Sequence, residues 1–193
     1  EEMIQAAQDA LQSARLQGKP LAIAQPVSAN KAIELKLEFA LRAALDDRFE
    51  QFYLVYQPQI RLSDNCIVGV EALIRWEHPE IGLVPPPRFI PIMEELGLIN
   101  ALGEWILRTA CRQLRSWQDS GMRLQMSINL SPRQFQDSQL SAALDDAVAQ
   151  AGIRPEDLQL EITERLAMQD PQGAVALLRQ WRDRGYQIAI DDF

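Results

Sequence analysis

Histidine is all but absent: His78 is the only one in 193 residues. It lies between Glu77 and Pro79 in a loop, where it reads as a structural residue, so the chain offers neither a Ser-His-Asp triad nor a His-rich zinc site. Cysteine is nearly as scarce. Cys66 and Cys111 are far apart and lack metal-ligand spacing, so they read as reduced packing residues of a cytoplasmic protein. Glycines are scattered, and no Gly-rich loop that could cradle phosphates is present. Basic residues are outnumbered, 19 Lys and Arg against 27 Asp and Glu, for a net charge of −8. That balance excludes a nucleic-acid polymer as partner, because phosphate backbones draw on Lys and Arg clusters. It leaves room for a small anionic ligand if metal ions or a few placed arginines supply local positive charge. No apolar run approaches the ~18 residues of a membrane span. The polar, acidic stretch from Glu1 to Asp9 does not resemble a signal peptide.

What remains is an ordinary globular balance, 47% hydrophobic and 24% charged. Residues 2–17 carry helical periodicity through Ile4, Ala7, Leu11 and Ala14, with Gly18 as a stop, and Leu21 to Ala24 reads as a short strand. Pro26, Ser28 and Asn30 mark a connector, so a domain boundary is expected within residues 25–30. A helix follows through Ile33, Leu37, Leu41 and Leu45, ending near Asp46. From Tyr53 the chain alternates. Apolar β-rich runs at 53–62 and 67–76 flank a Ser63-Asp64-Asn65 turn, and Pro85-Pro86-Pro87 leads into helical segments between Phe89 and Gln118. Strands at 124–130, 158–163 and 188–190 then alternate with helices at 131–151 and 171–184. This pattern predicts an α/β fold with a largely parallel sheet, either a (β/α) barrel or an open doubly wound sheet.

Strands of a parallel barrel are buried on both faces and should be nearly continuously apolar. These break that rule in phase. Gln125, Ser127 and Asn129 share one face of their strand, as do Gln159, Glu161 and Thr163 on the next, and Asp191 ends a third opposite Ile188 and Ile190. Glu71 and Arg75 share a face with Gly69 and Leu73. For any single strand a solvated face is the simpler reading, but agreement across four strands points to a shared site. Burying Glu71, Glu161 and Asp191 together is costly unless a cation intervenes. Carboxylate and amide oxygens, with Asn129 added, suit Mg²⁺ or Mn²⁺, and Asp192 is placed to help hold a second ion. Arg75, about 13 Å along the strand from Glu71, either meets a substrate phosphate or pairs with Glu77. Glu94-Glu95 and Asp145-Asp146 read as solvated helix residues, and Trp76, Trp105, Trp117 and Trp181 as core or rim.

Tyr56-Gln57-Pro58, Glu71-Ala72-Leu73-Ile74-Arg75-Trp76, Glu77-His78-Pro79, Pro87-Arg88-Phe89-Ile90-Pro91, Ser127-Ile128-Asn129-Leu130-Ser131, Glu161-Ile162-Thr163-Glu164 and Asp191-Asp192-Phe193 occur in that order. The ordered set resembles the EAL phosphodiesterase family. The resemblance implies a modified TIM-type (β/α)₈ barrel, incomplete here with about five strands, that hydrolyses cyclic di-GMP to linear pGpG. It implies that Glu71, Asn129, Glu161 and Asp191 ligate a first Mg²⁺ or Mn²⁺, and that Asp191 and Asp192 share a second. It further implies that Glu71, Asp191 and Asp192 serve catalysis and that Gln57, Leu73 and Arg75 bind the ligand. Residues 27–193 are then the N-terminal part of an EAL domain. Residues 1–26 more weakly resemble the tail of a GGDEF-type domain, a free linker helix being the other reading. A tandem signalling protein follows, with GGDEF or sensor domains upstream, cytoplasmic or anchored at the inner membrane by an upstream segment, and with homodimerisation common in the family. The family's catalytic lysine, later metal-binding glutamate and last strands do not occur before Phe193, so a fragment is expected. A non-catalytic cyclic di-GMP receptor is the alternative, and an unrelated Mg²⁺-dependent barrel a third reading.

Overall fold

The computed structural model describes residues 29–46, 49–163 and 171–191. The helix expected at 2–17 and the strand expected at 21–24 lie outside the described residues. The chain divides into two compact units, Glu1–Ala43 and Ala44–Phe193. Helix α1 (Ala29–Asp46) supplies the described part of the first and reaches into the second.

The second unit is built on a sheet that opens with a hairpin. Strands β1 (Phe52–Arg61) and β2 (Cys66–His78) pair antiparallel, with Phe52 opposite Trp76 and Arg61 opposite Cys66. Their turn is fixed locally: the Asp64 carboxylate accepts from the Cys66 N–H at 3.1 Å and pairs with Arg61 at 2.9 Å. Asn65 takes the left-handed conformation, φ 55°, which asparagine tolerates better than most residues. A short strand β3 (Gly82–Val84) returns along β2. Helices α2 (Pro86–Glu95) and α3 (Ile99–Asp119) follow, the first opened by a proline at its N-terminus, where a missing N–H costs nothing. Next come β4 (Gln125–Asn129), the single turn α4 (Pro132–Phe135), α5 (Leu140–Ala151), a 3₁₀ turn at Pro155–Asp157, β5 (Leu158–Thr163), α6 (Pro171–Asp183) and β6 (Gln187–Asp191). The strand order is β1-β2-β4-β5-β6, with β3 on β2, and every pairing from β2 to β6 along that path is parallel. Parallel strands joined by helical crossovers form the arc of a (β/α) barrel.

Among the described residues six strands stand where about five were expected, β3 being the addition. The helix expected over 131–151 is broken. Its first turn is held by a capping box, in which Ser131 Oγ accepts from the Gln134 N–H while Gln134 Oε1 accepts from the Ser131 N–H. Asp137 then interrupts it, accepting from Asn100 Nδ2 at 2.7 Å and from the Gln139 N–H at 2.9 Å. Cys111 is buried as expected, but Cys66 is exposed beside the hairpin tip and is not a packing residue.

Even-numbered residues of β4 and β5, and of β2 from Val70 on, face the helices. Val70, Ala72, Met126, Ile128, Leu158, Leu160 and Ile162 form one core with Leu107, Ala110, Cys111 and Leu114 of α3, Leu144 and Val148 of α5, and Trp181 of α6. Each fully buried aliphatic side chain there contributes about 1.5–3 kcal/mol. A separate aromatic group roots the far end of β2: Phe52 stacks on Trp76 with centroids 5.4 Å apart, and Phe89 meets both edge-on. The remaining two tryptophans, Trp105 and Trp117, pack against Phe49 and Tyr56.

Candidate functional site

Because the outer strand face is spent on the helices, odd-numbered residues share the inner face, and register decides their height. Glu71 is level with Ser127, Ser127 with Gln159 and Gln159 with Gln187. One inward step higher, Asn129 is level with Glu161 and Glu161 with Ala189; a further step up, Thr163 is level with Asp191. Glu71, Asn129, Glu161 and Asp191 therefore climb across successive strands. A TIM-type barrel staggers its strands by about one residue each, so this climb keeps the four at nearly one height along the barrel axis.

The side chains of three of them are described. Asn129 Nδ2 donates to Glu71 Oε1 at 2.7 Å. A carboxylate cannot donate, so the amide must present its nitrogen to Glu71 and keep Oδ1 as its oxygen donor. Glu161 is buried, at 6% exposure, and among the described residues only its Oε1 takes hydrogen bonds. Gln59 Nε2 donates to it at 3.5 Å and Gln159 Nε2 at 3.2 Å. Both amides also donate to the fully buried Ser127 Oγ, at 3.2 Å and 3.0 Å. The side chain of Asp191 and the whole of Asp192 lie outside the described residues, and among the described residues no three His, Cys, Asp or Glu side chains form a cluster.

The expected ligand-binding residues line the same face of the hairpin. Gln57 is opposite Glu71 and exposed; Leu73 is opposite Val55 and half-buried. Arg75, opposite Tyr53, donates from Nη1 to the Ile74 carbonyl at 2.8 Å and makes no ion pair with Glu77 among the described residues. His78 has a structural role at the end of β2: its Nδ1 accepts from the Glu80 and Ile81 N–H groups at 3.1 and 3.2 Å, shaping the turn into β3. Asp145, expected to be merely solvated, instead accepts from the Tyr186 hydroxyl at 2.9 Å and pairs with Arg184, tying α5 to the start of β6. Gln59 escaped the sequence reading altogether, although its spacing of two from Gln57 puts both on one face.

The donor set fits a hard divalent cation. Carboxylate oxygens from Glu71 and Glu161 and an amide oxygen from Asn129 come from three neighbouring strands, and Glu161 Oε2 takes no hydrogen bond from the described residues. A cavity of about 520 Å³ lies at the opposite end of the strands, beside Leu124, Gln125 and Asp157. Two of its arginines, Arg115 and Arg154, are engaged by Asp119, Glu156 and Asp157, and barrel chemistry is housed at the other end.

Residues 39–193 match the EAL domain family, and the chain belongs to it. It is 41% identical over 168 residues to the bifunctional diguanylate cyclase/cyclic di-GMP phosphodiesterase MucR of Pseudomonas aeruginosa, an alignment covering 86% of this chain and 24% of MucR. Among solved structures, the MucR phosphodiesterase in complex with c-di-GMP superposes with a TM-score of 0.78 at 42% identity, over 82% of this chain and 64% of that one. The EAL enzyme Bd1971, in its cAMP- and cyclic-di-GMP-bound form, also gives 0.78, at 32% identity over 100% of this chain and 52% of that one. The chain thus spans about a quarter of the length of MucR. The barrel class read from the motifs is the fold of these relatives.

Proposed function

We propose that this chain belongs to a domain that hydrolyses one phosphodiester bond of cyclic di-GMP to give linear pGpG. The observation that carries the reading is the placement of Glu71, Asn129 and Glu161 on one inner face of adjacent strands, with the Asn129–Glu71 contact of 2.7 Å, in a member of the EAL family. Kinship with a named cyclic di-GMP phosphodiesterase supports the substrate class. Glu71, Asn129, Glu161 and Asp191 would hold a first Mg²⁺ or Mn²⁺, and Asp191 with Asp192 a second. Such a pair, when bound, supplies water activation and neutralisation of phosphoryl charge.

The chain's own groups do the rest. Asn129 bridges two heights of the inner face, so Glu71 is held toward the strand ends. Burial of Glu161 among amides excludes water from one side of the site. Arg75 sits on the hairpin face beyond Glu71, where releasing the Ile74 carbonyl would free its planar donors for a phosphate. Gln57 and Leu73 complete the ligand-facing wall. A net charge of −8 sets the cations, rather than the protein surface, as the element that attracts a dinucleotide. Among the described residues no helix is long and apolar enough to cross a membrane. A cytoplasmic site, dimerisation and upstream GGDEF or sensor domains belong to this proposal too.

The test is incubation of the whole protein with cyclic di-GMP and Mg²⁺, following pGpG by chromatography, for wild type and Glu71→Ala. Turnover in the wild type that is lost in the variant is expected. Tight binding without turnover would instead identify a receptor, and absence of both would overturn the reading.

A further inference from the structure

The inner face carries an amide-rich layer just beneath the site, in which the Ser127 hydroxyl donates to Gln59 Oε1 at 3.5 Å. Gln59 and Gln159 reach inward from β1 and β5, which are separated in the sheet by β2 and β4. Each has a side-chain NH₂ with two N–H donors, and each contacts the same two acceptors: Ser127 Oγ at 3.2 and 3.0 Å, and Glu161 Oε1 at 3.5 and 3.2 Å. Four donors thus meet two oxygens with two lone pairs apiece. Ser127 is completely buried and Glu161 nearly so, so water does not compete freely for these positions. Gly69 makes the arrangement sterically allowed, since a Cβ there would come within 2.8 Å of Gln59 Oε1.

We infer that Gln59, Ser127 and Gln159 are positioning residues that hold Glu161 by Oε1 alone and so present Oε2 to a divalent cation. The inference rests on the reading of Glu161 as a metal ligand. Without the two amides, the carboxylate of Glu161 can rotate among acceptor geometries, and the entropy of fixing it falls on metal binding. Partners of this kind alter metal affinity by about 10–100-fold in other metal sites.

Gln59→Met and Gln159→Met keep side-chain length while removing the donors, and Ser127→Ala removes the shared acceptor. Mn²⁺ binding to the whole protein is measured by electron paramagnetic resonance, with folding checked by circular dichroism and the KM for cyclic di-GMP measured alongside. Each folded Met variant should bind Mn²⁺ roughly tenfold or more weakly, with the nucleotide KM unchanged at saturating metal. Ser127→Ala, which leaves both donors free to swing, should lose affinity in the same direction. Mn²⁺ affinity within twofold of wild type in whichever of the three variants fold would overturn the inference while leaving the site intact. Failure of the wild type itself to bind Mn²⁺ would overturn the metal reading beneath it.

Discussion

Gly69→Ala tests the packing beneath the site most directly. The added methyl would lie 2.8 Å from Gln59 Oε1, 2.9 Å from the Gln125 carbonyl oxygen and 3.4 Å from Gln125 Cβ. The first contact can be relieved by turning a side chain, at the expense of its bonds to Ser127 and Glu161. The second is to the backbone of β4, paired directly with Gly69, and yields only if two strands separate. Overpacking of this sort costs about 1–3 kcal/mol, against a gain of about 0.4–1 kcal/mol from a stiffer unfolded chain. The net is a destabilisation of about 1–2 kcal/mol, or a fall in Tm of roughly 2–8 °C for a unit of this size. Thermal unfolding followed by circular dichroism reads it. Combining the change with Gln59→Ala removes the side-chain clash but not the backbone one, so the double variant should be less destabilised than the sum of the singles by at least about 0.5 kcal/mol. A Tm at or above that of wild type, or strict additivity, would refute the reasoning.

Ser131→Ala should lower stability by about 0.5–2 kcal/mol through loss of its half of the capping box, measured by urea denaturation; a neutral result would mean that the bond does not form. With the protein native, a thiol reagent should modify Cys66 alone, since burial shields Cys111 and pushes its thiol up to about 12; two fast-reacting thiols would contradict the packing of α3. For Asp157, partial burial raises the carboxyl, but hydrogen bonds from Arg154 and Gln118 and the Arg154 charge outweigh it and hold the group below the usual carboxylate range. A depressed folded value means that its contribution is present above the unfolded value of ~3.9 and disappears as pH falls through the folded one. Asp157→Asn should therefore flatten the acid limb of the Tm–pH profile, and an unchanged limb would count against the pairing.

The inner and outer faces of the sheet were legible residue by residue, because a period of two survives wherever one face is committed to helices. Glu71, Asn129 and Glu161 stood out for that reason, as polar groups at positions a barrel would otherwise fill with aliphatic side chains. The missing strand β3 has three residues, too few to show any period. The break between α4 and α5 was hidden because Asp137, which marks it, takes one of its bonds from Asn100, far away in the chain. Gln59 went unread because its partners, Ser127 and Glu161, become neighbours only once β1 and β5 lie on a common arc. Cys66 was misjudged because burial is the usual state of a free cysteine, and a hairpin tip is one of the places where that tendency fails.

The reversed direction of β1 has a mechanical corollary. In an ordinary β/α barrel the chain enters its first strand at the floor, remote from the chemistry. Here Phe52 is joined to Trp76, beyond Arg75, so the polypeptide arrives at the mouth and descends past Gln57 before turning back. A pull on the backbone ahead of Phe52 is felt first by the wall that carries Gln57, Leu73 and Arg75, whereas lengthening the tip at Leu62–Asn65 changes only the underside.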